Sequence, residues 1–182
     1  MNKSQIEEAI GEAQRGIVQY LEIMELLHKS DVSLDRDFQR KYNAFYRVRQ
    51  RTEEWYESYY SYLEKNKNSS ITFANTIDYL NASLGRYEPS FSSKLAATIN
   101  PNKPVWDRHV LNNTGHTAPP YYSPTRVEDA KIIYSSIEEW YITFLQSDTG
   151  RLCVNTFNEK VFRKDQITDL KKVDFILWKI RD

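Results

Sequence analysis

Two residues in the middle of the chain have types and order that could do chemistry together. Lys94 lies in the run Ser90-Phe91-Ser92-Ser93-Lys94-Leu95, and Asp107 follows a loop bounded by Pro101 and Pro104. An amine can act as a nucleophile, and a carboxylate can stabilise positive charge developing on a substrate. Both belong to residues 85–115, a stretch that holds three of the six prolines and two of the five glycines.

The elements that position them can be read from spacing. Pro89 ends any helix before it, and Ser90 or a neighbour can cap the next. Phe91, Leu95 and Ile99 step by four and predict a buried helix face, with Lys94 flanking that stripe. Its amine could reach water or point into a cleft. Asn100 to Pro104 reads as a turn, and Val105 and Trp106 as extended and inward-facing. Asp107 opens the helical run that Gly115 ends, so it is also placed as an ordinary N-cap.

The remainder reads as amphipathic helices. Ser4 with Glu7 has the capping-box pattern for a first helix to Lys29. A second, longer helix is expected from Asp35 to about Lys65. Its first half carries Arg36, Arg40, Lys41, Arg47, Arg49 and Arg51; its second half is acidic and tyrosine-rich. A third helix starts at Ser70 or Thr72 and closes at Gly85. Residues 116–124 (HTAPPYYSP) cannot form regular helix or strand and are expected to be a surface loop. Thr125 with Glu128 predicts a capped helix whose core face is Ala130, Ile133, Ile137, Trp140, Tyr141 and Phe144. Residues 148–150 read as a turn, 152–162 as helix, and Asp165 as the cap of a last helix striped by Ile167, Leu170, Val173, Leu177 and Ile180.

The expected fold is therefore all-α, a single domain over residues 1–182 built as a bundle of about seven helices. The net charge is zero, so only local clusters can argue for a polyanionic partner. One cysteine, Cys153, excludes an internal disulfide and argues against a thiolate metal site. No histidine pair has helical metal spacing, and neither metal nor cofactor is expected. The first residues lack a signal-peptide pattern and no apolar run is long enough to span a bilayer, so a cytoplasmic location and no membrane partner are expected.

A lysine on a short helix, a loop, and then an aspartate in Pro104-Val105-Trp106-Asp107-Arg108-His109-Val110 opening a helix resembles the helix-hairpin-helix DNA glycosylase superfamily. The branch it is most similar to has the 8-oxoguanine DNA glycosylase fold. The resemblance covers about thirty residues, 85–115, and implies a degenerate helix-hairpin-helix. It implies Lys94 as Schiff-base nucleophile and Asp107 as the catalytic carboxylate, in base excision with possible strand cleavage. Trp106 or Tyr87 would hold an extruded base. Arg40, Arg47, Arg49, Arg51, Lys103, Arg108 and His109 would bind the DNA backbone. The chain departs from the family's pattern at Arg86-Tyr87-Glu88-Pro89-Ser90, which lacks the glycines of the phosphate-binding hairpin, and in having no four cysteines for a cluster.

Other readings of the same residues stand beside this one. The arginines could pair with Glu12, Glu22 and Glu25; Lys94 could be a surface lysine, Trp106 core and His109 structural. The protein could bind nucleic acid without catalysis. It could instead be an interaction domain using the aromatic segment from Trp55 to Tyr62.

Overall fold

The structure, a computed structural model, describes residues 1–180. Among them are nine α-helices and one 3-10 turn, with no strand. The chain is all-α, with more helices than the seven or so expected. They are α1 (Lys3–Leu27), α2 (Arg36–Tyr46), α3 (Glu53–Asn66), α4 (Phe73–Leu84), α5 (Pro89–Ile99), α6 (Arg108–Asn113), α7 (Arg126–Gln146), α8 (Asp148–Lys160) and α9 (Asp169–Leu177). They group into two compact units, one of Arg15–Asn100 and one joining Met1–Gln14 to Pro101–Asp182.

In the first unit, the long helix expected over 35–65 is two helices. Arg47 takes φ 55° at the end of α2, and its N–H and that of Val48 both bond Asn43 O. Gln50 also has φ 55°, and Thr52 then caps α3 by accepting from Trp55 N. The break has a packing cause. Tyr42 and Tyr59, seventeen residues apart, share a 2.8 Å hydroxyl contact. One straight helix would hold them roughly 25 Å apart. Folding α3 back buries Phe38, Tyr42, Tyr46, Trp55, Tyr59 and Tyr60 in one aromatic core. α5 completes it, with Phe91 edge-on to Trp55 at 5.2 Å.

Local chemistry decides the other boundaries. Asn2 rather than Ser4 forms the first capping box, since Asn2 and Gln5 exchange backbone-to-side-chain bonds of 2.9 and 3.0 Å. Thr72 and Asn75 form another at α4, and Gly85 ends that helix at φ 61°, a conformation glycine adopts without steric cost. α5 begins with Pro89 in its first turn, where a missing N–H costs nothing.

In the second unit, the expected capping box at Thr125 does not form. Its hydroxyl donates instead to Asp129 at 2.8 Å. The predicted turn at 148–150 is the first turn of α8, capped by Ser147 through Gly150 N. Gly150 is required there, because a Cβ would fall 1.9 Å from Phe144 O. Asp165 lies in the 3-10 turn and does not cap the last helix; Thr168 does, accepting from Lys171 N. The buried face of α7 is Ala130, Tyr134, Ile137 and Tyr141, while Ile133, Trp140 and Phe144 are half-buried. Tyr134 was missed because its hydroxyl reads as polar; buried, it donates to Pro104 O at 2.8 Å. Ion pairs Lys3–Glu159 (3.0 Å) and Lys160–Glu7 (3.1 Å) join the start of α1 to α8.

Candidate functional site

Lys94 belongs to the unit of Arg15–Asn100, on α5. It is 9% exposed, so it is neither a surface lysine nor a snorkelling one. Its ammonium donates to Tyr46 O at 3.1 Å and lies 4.7 Å from the Phe91 ring centroid. A buried cation needs such partners. The carbonyl of Tyr46 is one of the last in α2, where backbone acceptors lack intrahelical donors. Lys94 therefore satisfies a helix end inside the aromatic core.

Around it the tyrosine hydroxyls form a connected set. Tyr59 donates to Phe91 O at 3.0 Å and meets Tyr42 at 2.8 Å. Thr98 bonds Lys94 O at 2.7 Å, and its hydroxyl lies 3.2 Å from that of Tyr46. Tyr60 donates to Asn43 Oδ1 at 2.7 Å. Burial pushes the phenols of Tyr42, Tyr59 and Tyr60 well above their ordinary range, so they remain neutral donors.

Asp107 belongs to the other unit. It caps α6, accepting from Val110 N at 2.8 Å, and it also accepts from the Trp178 indole N–H. Burial raises its carboxyl above the usual range, and the nearby Asp174 charge adds to that. Asp174 is itself buried between Lys171 Nζ at 2.6 Å and the Tyr141 hydroxyl at 3.0 Å. The sequence suggested neither Lys171 nor Asp174. The pattern Lys171-Lys172-Val173-Asp174 is readable as a solvated i, i+3 pair, yet the pair is 3% exposed on each side. The second unit thus has a polar centre whose members satisfy one another: the half-buried Asp107 with Trp178, and the buried Asp174 with Lys171 and Tyr141.

The remaining candidates separate by partner. Arg40 pairs with Asp37 at 2.5 Å, and Lys41 lies 3.5 Å from both Glu22 and Asp37. Arg51 pairs with Glu88 at 3.3 Å and stacks over Phe91 at 4.8 Å. Burial raises the Glu88 carboxyl, partly offset by Arg51. Lys103 pairs with Glu138 at 2.8 Å. Glu22 is thus paired by Lys41 where an arginine was expected, Arg40 turns to Asp37 on its own helix, and Arg51, in the α2–α3 connection, turns to Glu88. Arg47, Arg49 and Arg108 are exposed, and His109 is half-buried. Trp106 is buried, as its inward reading expects, and Tyr87 is half-buried.

A cleft of about 520 Å³ in the first unit is lined by Arg36, Gln39, Arg51, Glu53, Tyr56 and Glu57 among others. Two arginines face two glutamates there, which offers no single sign of charge to a phosphate. Among the described residues no group of three or more His, Cys, Asp or Glu side chains is placed to hold a metal. Cys153 is buried and its thiol is pushed up to about 11, which disfavours the reactive thiolate. No described helix is long and apolar enough to cross a membrane. Comparison with known proteins returns no match to any family model, curated protein or solved structure.

The exposed aromatic residues lie elsewhere. Of the Trp55–Tyr62 segment, Trp55, Tyr59 and Tyr60 are core, Tyr56 is half-buried, and Tyr62, also half-buried, stacks on Tyr79 at 3.9 Å. In the loop of residues 116–124, Tyr121 is 63% and Tyr122 is 92% exposed. Ile132 and Ile142 on α7, and Phe162 after α8, are also exposed.

Proposed function

We propose that this chain is a non-enzymatic, all-α protein-binding module whose recognition element is the loop of residues 116–124. The observation that carries the reading is the pair Tyr121–Tyr122, two large aromatic side chains held outside every helix and presented to solvent. Exposed tyrosines supply large, rigid contact area, which makes them favoured interface residues. Ile132, Ile142 and Phe162 add exposed apolar surface in the same unit. The roles of Lys94 and Asp107 support a non-catalytic reading, because each side chain is engaged with a helix terminus.

The test places a photoreactive phenylalanine analogue at position 122 and irradiates the protein in an extract of its source cells. A single defined adduct, absent when the analogue is at an exposed helical position such as 155, is expected. The same pattern of adducts from both positions, or none from 122, contradicts the reading.

A second reading, nucleic-acid binding without catalysis, draws on the exposed Arg47 and Arg49 at the α2–α3 connection. It requires an affinity for DNA that falls steeply with salt and weakens in Arg47→Ala with Arg49→Ala. Base excision by the Schiff-base route that the family resemblance implies requires in addition a borohydride-trapped adduct on Lys94. An adduct lost in Lys94→Gln would overturn the non-catalytic reading.

A further inference from the structure

We infer that residues 119–122 form a docking motif for a small domain of the WW class, which takes proline-rich ligands in an aromatic-lined groove. The inference rests on the protein-binding reading and names its partner. The sequence is Pro119-Pro120-Tyr121-Tyr122, a proline pair followed at one remove by a tyrosine. Each proline fixes its own φ near −65°, and each restricts the residue before it to extended conformations. Ala118 and Pro119 are both such residues. Residues 116–120 have no regular secondary structure, as this chemistry requires.

A polyproline helix has three residues per turn, so positions three apart share an edge. Pro119 and Tyr122 have that spacing in sequence, and the extended run itself ends at Pro120, where a turn begins. Aromatic grooves of the WW class receive successive prolines against their rings, and the proline ligand arrives already extended, at low entropic cost. The loop here then adds a turn: Ser123 N bonds Pro120 O at 3.0 Å, with Tyr121 and Tyr122 as its central residues. Their rings stand at 90° with centroids 5.6 Å apart. Arg126 holds the first of them, donating to Tyr121 O and stacking its guanidinium 5.0 Å from the Tyr121 ring. Tyr122 is the more exposed of the two. The turn thus assigns the two tyrosines different work: Tyr121 is tied to the start of α7, and Tyr122 is offered outward.

The register also selects among proline-reading domains. A groove of the SH3 class reads two prolines three positions apart. Pro124 is four residues beyond Pro120 and five beyond Pro119, so no such pair exists in the loop.

The experiment titrates a purified WW domain specific for Pro-Pro-x-Tyr ligands into the full chain, with an SH3 domain in parallel. Saturable one-to-one binding of the WW domain alone is expected. Tyr122→Ala and Pro119→Ala should each weaken it at least about tenfold, the scale of a hot-spot truncation. Val18→Ser, which alters an exposed apolar residue outside the motif, should change it less than about twofold. Identical thermal melts for all variants exclude unfolding as the cause. No saturable binding, or equal binding by wild type and both motif variants, overturns the inference. If the titration fails while the crosslink at position 122 still gives a defined adduct, the loop binds another class of protein and the parent reading survives. If both fail, both are wrong.

Discussion

Tyrosines 42, 59 and 60 and tyrosines 121 and 122 are the same residue type put to opposite uses. The first three lie in the core of the Arg15–Asn100 unit, and their hydroxyls have partners in one another, in Asn43 and in the Phe91 carbonyl. The last two sit on a proline loop in the other unit, mostly in solvent. The difference follows from what surrounds each tyrosine in sequence. In α2 and α3 they recur at helical spacing beside Phe38 and Trp55, so one helix pair can bury them all. Beside Pro119 and Pro120 no helix can form, and nothing carries the rings inward. Aromatic content alone therefore says nothing of an interaction surface; backbone context decides which aromatics are free to bind.

The largest effects should come from removing a member of the buried sets. Lys171→Ala leaves Asp174 buried with only the Tyr141 hydroxyl, and a loss of about 3–5 kcal/mol is expected on urea unfolding. Tyr59→Ala should cost a similar amount, about 3–5 kcal/mol, through the cavity it leaves under Trp55 and Phe91. Tyr122→Ala should change stability by less than about 0.5 kcal/mol in the same assay, since the ring is in solvent. Equal losses in Tyr59→Ala and Tyr122→Ala would break the comparison.

A smaller effect sharpens it. Tyr59→Phe keeps the ring but removes the hydroxyl that serves both Phe91 O and Tyr42, and about 1–2 kcal/mol should be lost.

The smallest effect is a pH dependence at Asp107. Its carboxyl is raised in the folded state, so the native protein holds that proton more tightly than the unfolded chain does. Its contribution is fully present below the unfolded aspartate range, near pH 4, and is lost as pH rises through the raised folded value. Asp107→Asn cannot titrate. The stability of wild type minus that of Asp107→Asn should therefore fall as pH rises from about 4, where the titration of an unfolded aspartate lies. A difference that is flat or rises with pH would contradict the assignment.

Much of the fold was legible because it depends on local rules. Pro89, Gly85 and Gly115 mark real boundaries, and the stripe of Phe91 and Leu95 is buried. The α2–α3 break was not legible. Arg47 and Gln50 carry no sign of positive φ, and the turn exists to bring distant tyrosines together. At the candidate site, the N-cap role of Asp107 was readable from its place before α6. The burial of Lys94 was not, since its acceptor, Tyr46 O, is 48 residues away. Lys171 and Asp174 escaped notice for a related reason: i, i+3 spacing reveals the pair but not the depth at which it lies.

The contrast between the two sets of tyrosines is tested most directly by limited nitration with tetranitromethane, read by peptide mass spectrometry. The reagent needs an accessible, ionisable phenol, and burial denies both to Tyr42, Tyr59 and Tyr60. Tyr122 should be modified first, and those three should react only after unfolding. Early nitration of Tyr59 or Tyr60 in the folded protein, with Tyr122 protected, would contradict it.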